Sequence, residues 1–383
     1  MLHYTQHNRV QLIRGGKEYF QTLLNLVSKA HTSIYFQTYI FDEDETGKTV
    51  AKALMDAAQR GVKIFMLLDG YASQNLSTEL IQKLKTSGIA FRWFEPLLRS
   101  ERFYFGRRLH HKVLVTDAQH CLVGGINITN RYNDINGNQA WLDWAIHAEG
   151  EVALQVFQVC ARRAVSKWNG SRKFKFIEHQ PAQVNDVCRA RMVVNDWVRG
   201  KRDISKSYLE MFNDSKDHII IMSSYFLPGR DFRKKMREAA KRDVRISVVL
   251  TQISDVALAK SAERYLYPWL FKNNIEVYEY TKTVLHGKIV VCDQHWVSIG
   301  SYNLNELSAK ASVEMNLVVA DGKFGSEVHS IISQIIQSDC IRITEKDFEN
   351  HTHWYDTTWQ KISYNILRII LFLFTFYFKR VKD

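Results

Sequence analysis

The sequence predicts an α/β protein of two similar lobes, each a mixed, mostly parallel sheet flanked by helices. Three observations lead to this fold class. Strand-like and helix-like segments alternate between residues 17 and 94, the same order returns between residues 219 and 280, and one polar motif occurs once in each half. Such alternation is typical of α/β domains, and a period this long indicates domain duplication. We therefore expect two lobes related by an approximate two-fold axis.

The first half supplies three strand–helix pairs. Helices are recognised by apolar residues spaced three to four apart, and strands by short runs of β-branched and aromatic residues. The helices are expected at residues 17–30, 47–60 and 77–87, and the strands at residues 33–41, 62–68 and 89–94. Gly61 and Gly88 follow two of these helices, as glycine often does where a helix ends.

The second half repeats the pattern. Its strands are expected at residues 219–226, 244–250 and 275–280, with a helix at residues 229–242. Periodicity breaks down over residues 170–205, where Gly, Ser, Lys and Pro181 occur, so we expect the joint there. The predicted domains are the lobes at residues 1–180 and 181–345 and an apolar and basic tail at residues 346–383.

The repeated motif places His, Lys, Asp, Gly and Asn at identical spacing in the two halves. Its copies are His110, Lys112, Asp117, Gly124 and Asn127, and His286, Lys288, Asp293, Gly300 and Asn303. Residues two apart on a strand share a face, so each His points the same way as its Lys, and each Asp points the opposite way. We count Asp117 and Asp293 with the catalytic set of the motif and expect them to make structural hydrogen bonds.

Each copy offers an imidazole, a cation and an amide, a set that suits a phosphate group. Two copies brought face to face would put two imidazoles on opposite sides of one phosphorus atom. One imidazole could attack while the other donates a proton to the leaving oxygen. A single His-x-Lys arises easily by chance, whereas two copies with matching downstream Gly and Asn are specific.

A carboxylate follows each motif within an aromatic or apolar run. These are Asp143 in Trp-Leu-Asp-Trp-Ala-Ile and Glu314 in Val-Glu-Met-Asn-Leu-Val. A buried carboxylate needs a partner, which is either a local cation or a functional group.

At these residues the chain resembles the phospholipase D superfamily, whose signature is H-x-K-x4-D-x6-G-S-x-N. The second copy has Ser301 at the serine position, whereas the first has Gly125, as cardiolipin synthases of the superfamily often do. Residues 57–62 and 67–71 also resemble bacterial cardiolipin synthases of the short type, which lack two N-terminal membrane helices. The resemblance extends over about residues 10–345.

The resemblance implies a phosphatidyltransferase with one active site between the lobes, needing no metal or cofactor. His110 would attack phosphorus to form a phosphohistidine, and His286 would protonate the departing alcohol and deprotonate the incoming one. The phosphate oxygens would be held by Lys112, Lys288, Asn127, Asn303 and Ser301. Asp143 and Glu314 would orient the histidines.

The expected reaction joins two phosphatidylglycerol molecules into cardiolipin and releases glycerol. The acceptor stays open, since phosphatidylethanolamine or another alcohol could serve. The alternatives are a hydrolytic phospholipase D, a nuclease of the superfamily, and a non-catalytic module that binds membrane or nucleic acid. The motifs are intact at His, Lys, Asp and Asn, which favours an enzyme.

Charge and cysteine content bound the partners and the compartment. The net charge of +12 favours an anionic partner, a membrane surface or a nucleic acid. With the resemblance, we expect an anionic membrane and phospholipid, and no nucleic acid. Five cysteines without Cys-x-x-Cys indicate a reducing compartment, and no secretory signal is visible. The expected location is therefore peripheral, at the cytoplasmic face of a bacterial inner membrane; the oligomeric state is left open.

Two segments outside the motifs could meet the membrane. Residues 96–108 mix arginines with aromatic residues, which suits a lipid interface, single-stranded nucleic acid or a solvated loop with a packed aromatic anchor. Residues 369–378 are apolar apart from Thr375 and are followed by Lys379, Arg380 and Lys382. This run is short for a membrane span, so an in-plane anchor is expected, with a packed helix as the alternative.

Overall fold

The computed structural model describes residues 3–96, 107–165, 180–305, 308–309 and 312–376. Two sequence-predicted features fall partly outside this set. Most of the arginine-aromatic loop, at residues 97–106, and the basic chain end at residues 377–383 lie outside the described residues.

The first lobe is a seven-stranded sheet covered by helices. Its strands are β1 Thr5–Arg14, β2 Ser33–Thr38, β3 Lys63–Asp69, β4 Ala90–Phe94, β5 Arg108–Leu109, β6 Val113–Thr116, β7 His120–Gly124 and β8 Trp144–Gly150. Its helices are α1 Lys17–Lys29, α2 Glu45–Gln59, α3 Thr78–Thr86 and α4 Glu151–Val165. The sheet order is β4-β3-β2-β6-β7-β8-β1, and the short β5 pairs elsewhere.

The second lobe repeats this order. Its strands are β9 Val187–Asp196, β10 Lys201–Arg202, β11 His218–Ser223, β12 Arg245–Thr251, β13 Glu276–Tyr280, β14 Lys288–Cys292, β15 Trp296–Gly300, β16 Ser312–Ala320 and β17 Cys340–Ile343. Its helices are α5 Asp203–Asp214, α6 Arg230–Ala240, α7 Ala257–Arg264, α8 Tyr267–Lys272, α9 Gly322–Asp339, α10 Glu345–Asn350 and α11 Trp354–Phe376. The order β13-β12-β11-β14-β15-β16-β9 matches the first sheet strand for strand, and β17 is added beside β13.

The predicted α/β fold of two similar lobes is confirmed, but its parallel part is smaller than expected. In each sheet the three strands joined through helices are parallel, and the other neighbours are antiparallel. One reason is the short connection inside each motif, which joins β6 to β7 and β14 to β15, because a tight turn can join only antiparallel strands. Asp117 and Asp293 lie in these turns with φ of 55° and 50°.

Part of the interval in which the joint was expected is regular structure. Residues 187–196 form β9, which occupies in the second sheet the place of β1 in the first. The alternation of apolar and polar residues from Val187 to Met192 was the missed signal. The predicted boundary at residue 180 adjoins residues 166–179, which lie outside the described residues, and stays a prediction.

The lobes are joined by strand pairing and by a shared core. β1 pairs with β8 of its own sheet and also contacts β9, where Thr5 faces Ala190. β5 pairs in parallel with β16, where Leu109 faces Val313. One buried apolar cluster draws residues from both sheets, whereas two others lie within single lobes. The two motifs therefore lie on elements that pack directly against each other.

No helix in the described part of the chain is both long and apolar enough to cross a bilayer.

Candidate active site

His110 lies between β5 and β6 and is held by the opposite lobe. Its backbone N–H donates to the Val313 carbonyl at 2.9 Å. Its ring Nδ1 lies 2.9 Å from Oε2 of Glu314 and 3.0 Å from the Ser301 carbonyl. Glu314 belongs to β16 and its side chain is fully buried, so its carboxylate is fixed before any ligand arrives.

His286 has the mirrored arrangement. Its backbone N–H donates to the Leu142 carbonyl at 2.8 Å, and its Nδ1 lies 2.6 Å from Oδ2 of Asp143. The other oxygen of Asp143 accepts the Trp144 N–H at 2.7 Å. In both halves, therefore, the backbone carbonyl of the residue just before the carboxylate accepts the histidine N–H, and the carboxylate contacts Nδ1 of the histidine ring.

The two histidine–carboxylate pairs cross between the lobes. The carboxylate of Asp143 in the first lobe contacts the ring of His286 in the second, and the carboxylate of Glu314 in the second contacts the ring of His110 in the first. The sequence predicted both carboxylates as orienting residues but not which histidine each one meets. Because each lobe supplies the partner of the other's imidazole, the two motifs form one site.

The two lysines lie beside their histidines in different surroundings. Lys112 donates to the His110 carbonyl at 2.9 Å, and its ammonium lies 5.1 Å from the centre of the Tyr39 ring. Lys288 donates to the His286 carbonyl and to the Ser224 hydroxyl, the latter at 3.1 Å. Burial lowers the pKa of Lys112 to about 7 and that of Lys288 to about 8. Both ammonium groups are thus poorly solvated and available to an anion.

Burial also disfavours the charged form of both imidazoles. It lowers the pKa of His110, although the Glu314 charge opposes the shift. It lowers the pKa of His286 further, because the charges of Lys288 and Lys112 act in the same direction. Burial raises the pKa of Asp143 to about 7. Within the described part of the chain neither Nε2 has a hydrogen-bond partner, so each is available to a substrate atom.

The two motif asparagines are buried. Asn127 donates to the Tyr132 hydroxyl at 3.0 Å and accepts from the Ile40 N–H. Asn303 accepts from the Ser224 hydroxyl at 2.8 Å, and its amide nitrogen makes no hydrogen bond to the residues that the structure describes. That amide nitrogen is a donor open to a phosphate oxygen.

Ser301 is placed differently from the phosphate contact predicted for it. Its side chain is fully buried, and its hydroxyl donates to Oε2 of Glu314 at 2.5 Å. The hydroxyl therefore holds the carboxylate that orients His110. The equivalent position in the first half is Gly125, where an added Cβ would lie 2.4 Å from Oδ1 of Asp143. Glycine is required there because the shorter aspartate brings its carboxylate against the backbone.

Asp117 and Asp293 lie away from the imidazoles, as their position on the opposite face predicted. Asp117 accepts hydrogen bonds from the backbone N–H groups of residues 31–33, and Asp293 from those of residues 216–218. Each carboxylate thus ties the turn in which it lies to the segment that leads into the first parallel strand of its lobe, β2 or β11.

Several residues around the site were missed by sequence reasoning. Tyr39 directly follows β2, and Ser224 occupies the equivalent place directly after β11. Tyr39 contacts Lys112, and Ser224 contacts Lys288. Asp69, at the end of β3, accepts the Leu109 N–H at 2.7 Å and so fixes the backbone before His110. The available signal was position, since ligand-contacting residues of α/β sheets gather at the carboxyl ends of parallel strands.

Among the described residues no group of three or more His, Cys, Asp or Glu side chains could hold a metal ion.

Comparisons with known proteins agree with this geometry. A sequence model of the family described as "Cardiolipin synthase, PLD-like domain" matches residues 23–153 and 208–336, one segment in each lobe. Cardiolipin synthase B of Escherichia coli (strain K12) is 32% identical over 373 residues, which are 95% of this chain and 89% of that protein. Major cardiolipin synthase ClsA of Bacillus subtilis (strain 168) is 25% identical, over 96% of this chain and 76% of that protein.

A solved structure shares the whole fold. The phosphatidylserine synthase of Haemophilus influenzae Rd KW20 superposes with a TM-score of 0.75, covering 98% of this chain and 97% of its own, at 15% identity. The family match, the curated relatives and the two intact motifs agree, and they confirm the resemblance: this chain belongs to the cardiolipin synthase family of phospholipase D-like proteins.

Proposed function

We propose that this protein is a phosphatidyltransferase that makes cardiolipin from two phosphatidylglycerol molecules and releases glycerol. The observation that carries the proposal is the pair of crossed histidine–carboxylate contacts, which points two free Nε2 atoms into one site with two buried lysines. The similarity to proteins named cardiolipin synthase over nearly the whole chain supports the choice of lipid.

In the first step Nε2 of His110 attacks the phosphorus of one phosphatidylglycerol. The bond from phosphorus to the glycerol oxygen breaks, and Nε2 of His286 gives its proton to that oxygen. Glu314 accepts the Nδ1–H of His110 and so stabilises the positive charge that builds on the attacking ring. Lys112 and Lys288 oppose the charge on the non-bridging oxygens.

In the second step a hydroxyl of the other phosphatidylglycerol takes the place of glycerol. Nε2 of His286 removes its proton, the hydroxyl oxygen attacks phosphorus, and the bond from phosphorus to His110 breaks. The products are cardiolipin and free His110, with the proton back on His286. Asp143 holds the protonated ring of His286 in both steps.

The proton on His286 needs the substrate. In the free site burial and the lysine charges lower its pKa well below the usual value. An anionic phosphodiester offsets the charges of Lys112 and Lys288 and so raises that pKa again. The pKa of His286 is lowered more than that of His110. This difference supports a second assignment, in which His286 attacks and His110 is the acid. We keep His110 as the nucleophile on the family resemblance, and the labelling experiment at the end of the Discussion separates the two.

The finer points of partner and location belong to the same proposal. We place the reaction at the cytoplasmic face of a bacterial inner membrane, with an anionic membrane surface as the partner. The net charge of +12 supports an anionic surface, and the proposed substrate is itself a membrane lipid.

The test is product analysis with purified protein. The protein is incubated with phosphatidylglycerol in mixed micelles, and lipids and free glycerol are measured by mass spectrometry. Cardiolipin and glycerol in equal amounts are expected, and added phosphatidylethanolamine shows whether another acceptor competes. Phosphatidic acid without cardiolipin would instead identify a hydrolase, and cleavage of DNA without lipid turnover a nuclease.

A further inference from the structure

Helix α11 exposes apolar side chains along one stripe. Tyr355, Trp359, Ile362, Ile366 and Ile369 follow one another at steps of four and three residues, so they share one face of the helix. The exposed fractions of the three isoleucines are 43%, 36% and 58%. We name these five residues the apolar stripe. Trp354 at its start is 80% exposed.

Among the side chains that the structure describes, the face of α11 that packs on the protein includes buried polar residues. Gln360 and Ser363 are buried, and the ring of Tyr364 packs in a tilted arrangement against that of Tyr265, with ring centres 4.9 Å apart. Within the described residues the buried hydroxyl of Ser363 has no hydrogen-bond partner. This is the reverse of a helix folded onto a core in water, which buries its apolar face. The apolar stripe, by contrast, is exposed.

Two basic residues lie on the same side of the stripe. Lys361 and Arg368 are exposed and lie about 120° and about 140° from its centre by helical geometry. The helix has one acidic residue, Asp356, and that carboxylate accepts the backbone N–H of His353 at the helix start. Cations beside an apolar face with aromatic residues are typical of a helix that lies in the plane of a membrane surface.

The helix is also tied to the edge of the sheet that carries the active site. Tyr265 directly follows α7, whose Glu263 accepts the Phe226 N–H at 3.2 Å. Phe226 lies two residues after Ser224, which contacts Lys288. In the segment before α7, Ile253 and Val256 are exposed to 49% and 42%. Exposed apolar residues thus continue from α11 toward the loops of the active-site edge.

We propose that the apolar stripe of α11 docks in the plane of an anionic phospholipid surface, with Lys361 and Arg368 against the headgroups. This inference deepens the proposed function, on which its choice of partner rests. A second copy of the chain is the other occupant to consider. Its own α11 would bring two more cations to the same flank, so charge complementarity favours the anionic lipid.

The test is binding of the full chain to vesicles of phosphatidylglycerol and phosphatidylcholine, measured by flotation. The stripe variant carries Ile362→Gln, Ile366→Gln and Ile369→Gln, since glutamine keeps helix propensity. The matched control carries Thr358→Gln and Asn365→Gln, at exposed positions of the same helix. The stripe variant should bind at least tenfold more weakly, because apolar burial is lost. The control should bind like the unchanged protein.

A charge variant, Lys361→Gln with Arg368→Gln, separates the electrostatic part. This variant should bind vesicles more weakly than the unchanged protein at low salt. The vesicle binding that remains at high salt should be the same for both proteins. Should the stripe variant misfold by circular dichroism, quenching by brominated lipids gives the second measurement. Emission of the unchanged protein should be quenched more strongly than that of a variant with Trp354→Phe and Trp359→Phe.

The outcomes are distinguishable from those of the proposed function. Vesicle binding by the stripe variant at full strength, or equal quenching with and without Trp354 and Trp359, overturns the docking proposal. So does a dimer in solution that the stripe variant dissociates without loss of vesicle binding. Cardiolipin formation in detergent micelles should survive in the stripe variant. If the unchanged protein makes no cardiolipin but binds vesicles through the stripe, the proposed function fails and the docking surface stands.

Discussion

Adding a single carbon at Gly125 should damage the active site more than removing a hydroxyl from its counterpart Ser301. A Cβ at Gly125 would lie 2.4 Å from Oδ1 and 2.6 Å from Oδ2 of Asp143, whereas ordinary contacts begin at 3.4 Å. The Asp143 carboxylate would have to move by about 1 Å. The same carboxylate holds His286 at 2.6 Å, so this movement disrupts the bond that orients the ring.

The size of the effect follows from that displacement. A misplacement of about 1 Å at a reacting group costs about 100-fold in rate, or about 2.7 kcal/mol of transition-state stabilisation. We expect Gly125→Ala to lower kcat about 100-fold in cardiolipin synthesis. KM should change little, because Lys112 and Lys288 remain in place to hold the phosphate.

Ser301→Ala is the matched control. Ser301 already carries a Cβ, and its replacement removes only the hydroxyl that donates to Glu314. Glu314 keeps its contact with His110, so kcat should fall by about tenfold at most. The double variant Gly125→Ser with Asp143→Glu, which copies the second half, should recover part of the activity lost in Gly125→Ser.

The assay is initial-rate cardiolipin formation in mixed micelles, with thermal unfolding of each variant as the check on folding. If folded Gly125→Ala keeps a kcat within threefold of that of the unchanged protein, the position of the Asp143 carboxylate does not depend on glycine at position 125. The account of the first motif is then refuted.

Three further predictions concern charge, structure and metal. Burial lowers the pKa of Lys112 to about 7 and of Lys288 to about 8, so the cationic forms are lost as pH rises through this range, and kcat/KM should fall from pH 7 to 9. Lys112→Arg should flatten that fall, since arginine stays charged; an unchanged profile would contradict the assignment. Asp117→Ala should cost about 2 kcal/mol of unfolding free energy, measured by denaturant titration, with kcat per folded molecule preserved. EDTA should leave activity in micelles intact, and a strict requirement for a divalent ion would count against two lysines as the source of charge.

Local patterns predicted the repeated fold and the motif residues. Helical and strand periods depend on neighbours along the chain, so α2 and β3 were placed within two residues of their observed bounds. The motif was visible because its chemistry requires fixed residue types at fixed spacing. The equal spacing in the two halves also predicted that their motifs would occupy equivalent strands.

What the sequence could not predict depends on contacts between the halves. Spacing along the chain does not say that Asp143 meets His286, because that contact arises when Leu142 of one lobe pairs with Leu285 of the other. The sequence shows glycine in place of serine at position 125, as in related cardiolipin synthases, but does not explain it. The physical reason is the Asp143 carboxylate, which lies where a Cβ at position 125 would be. The polar packing face of α11 was likewise invisible, since it depends on what α7 presents to it.

The central claim is that the two halves form one active site in which His110 becomes covalently phosphorylated and His286 transfers protons. The most direct measurement is rapid quenching of the enzyme with labelled phosphatidylglycerol, followed by peptide mapping of the acid-labile label, with His110→Ala and His286→Ala assayed beside it. The account predicts label on His110 in the unchanged protein and loss of turnover in both variants. Label on His286 would reverse the two roles, and retained turnover in either variant would contradict the shared site itself.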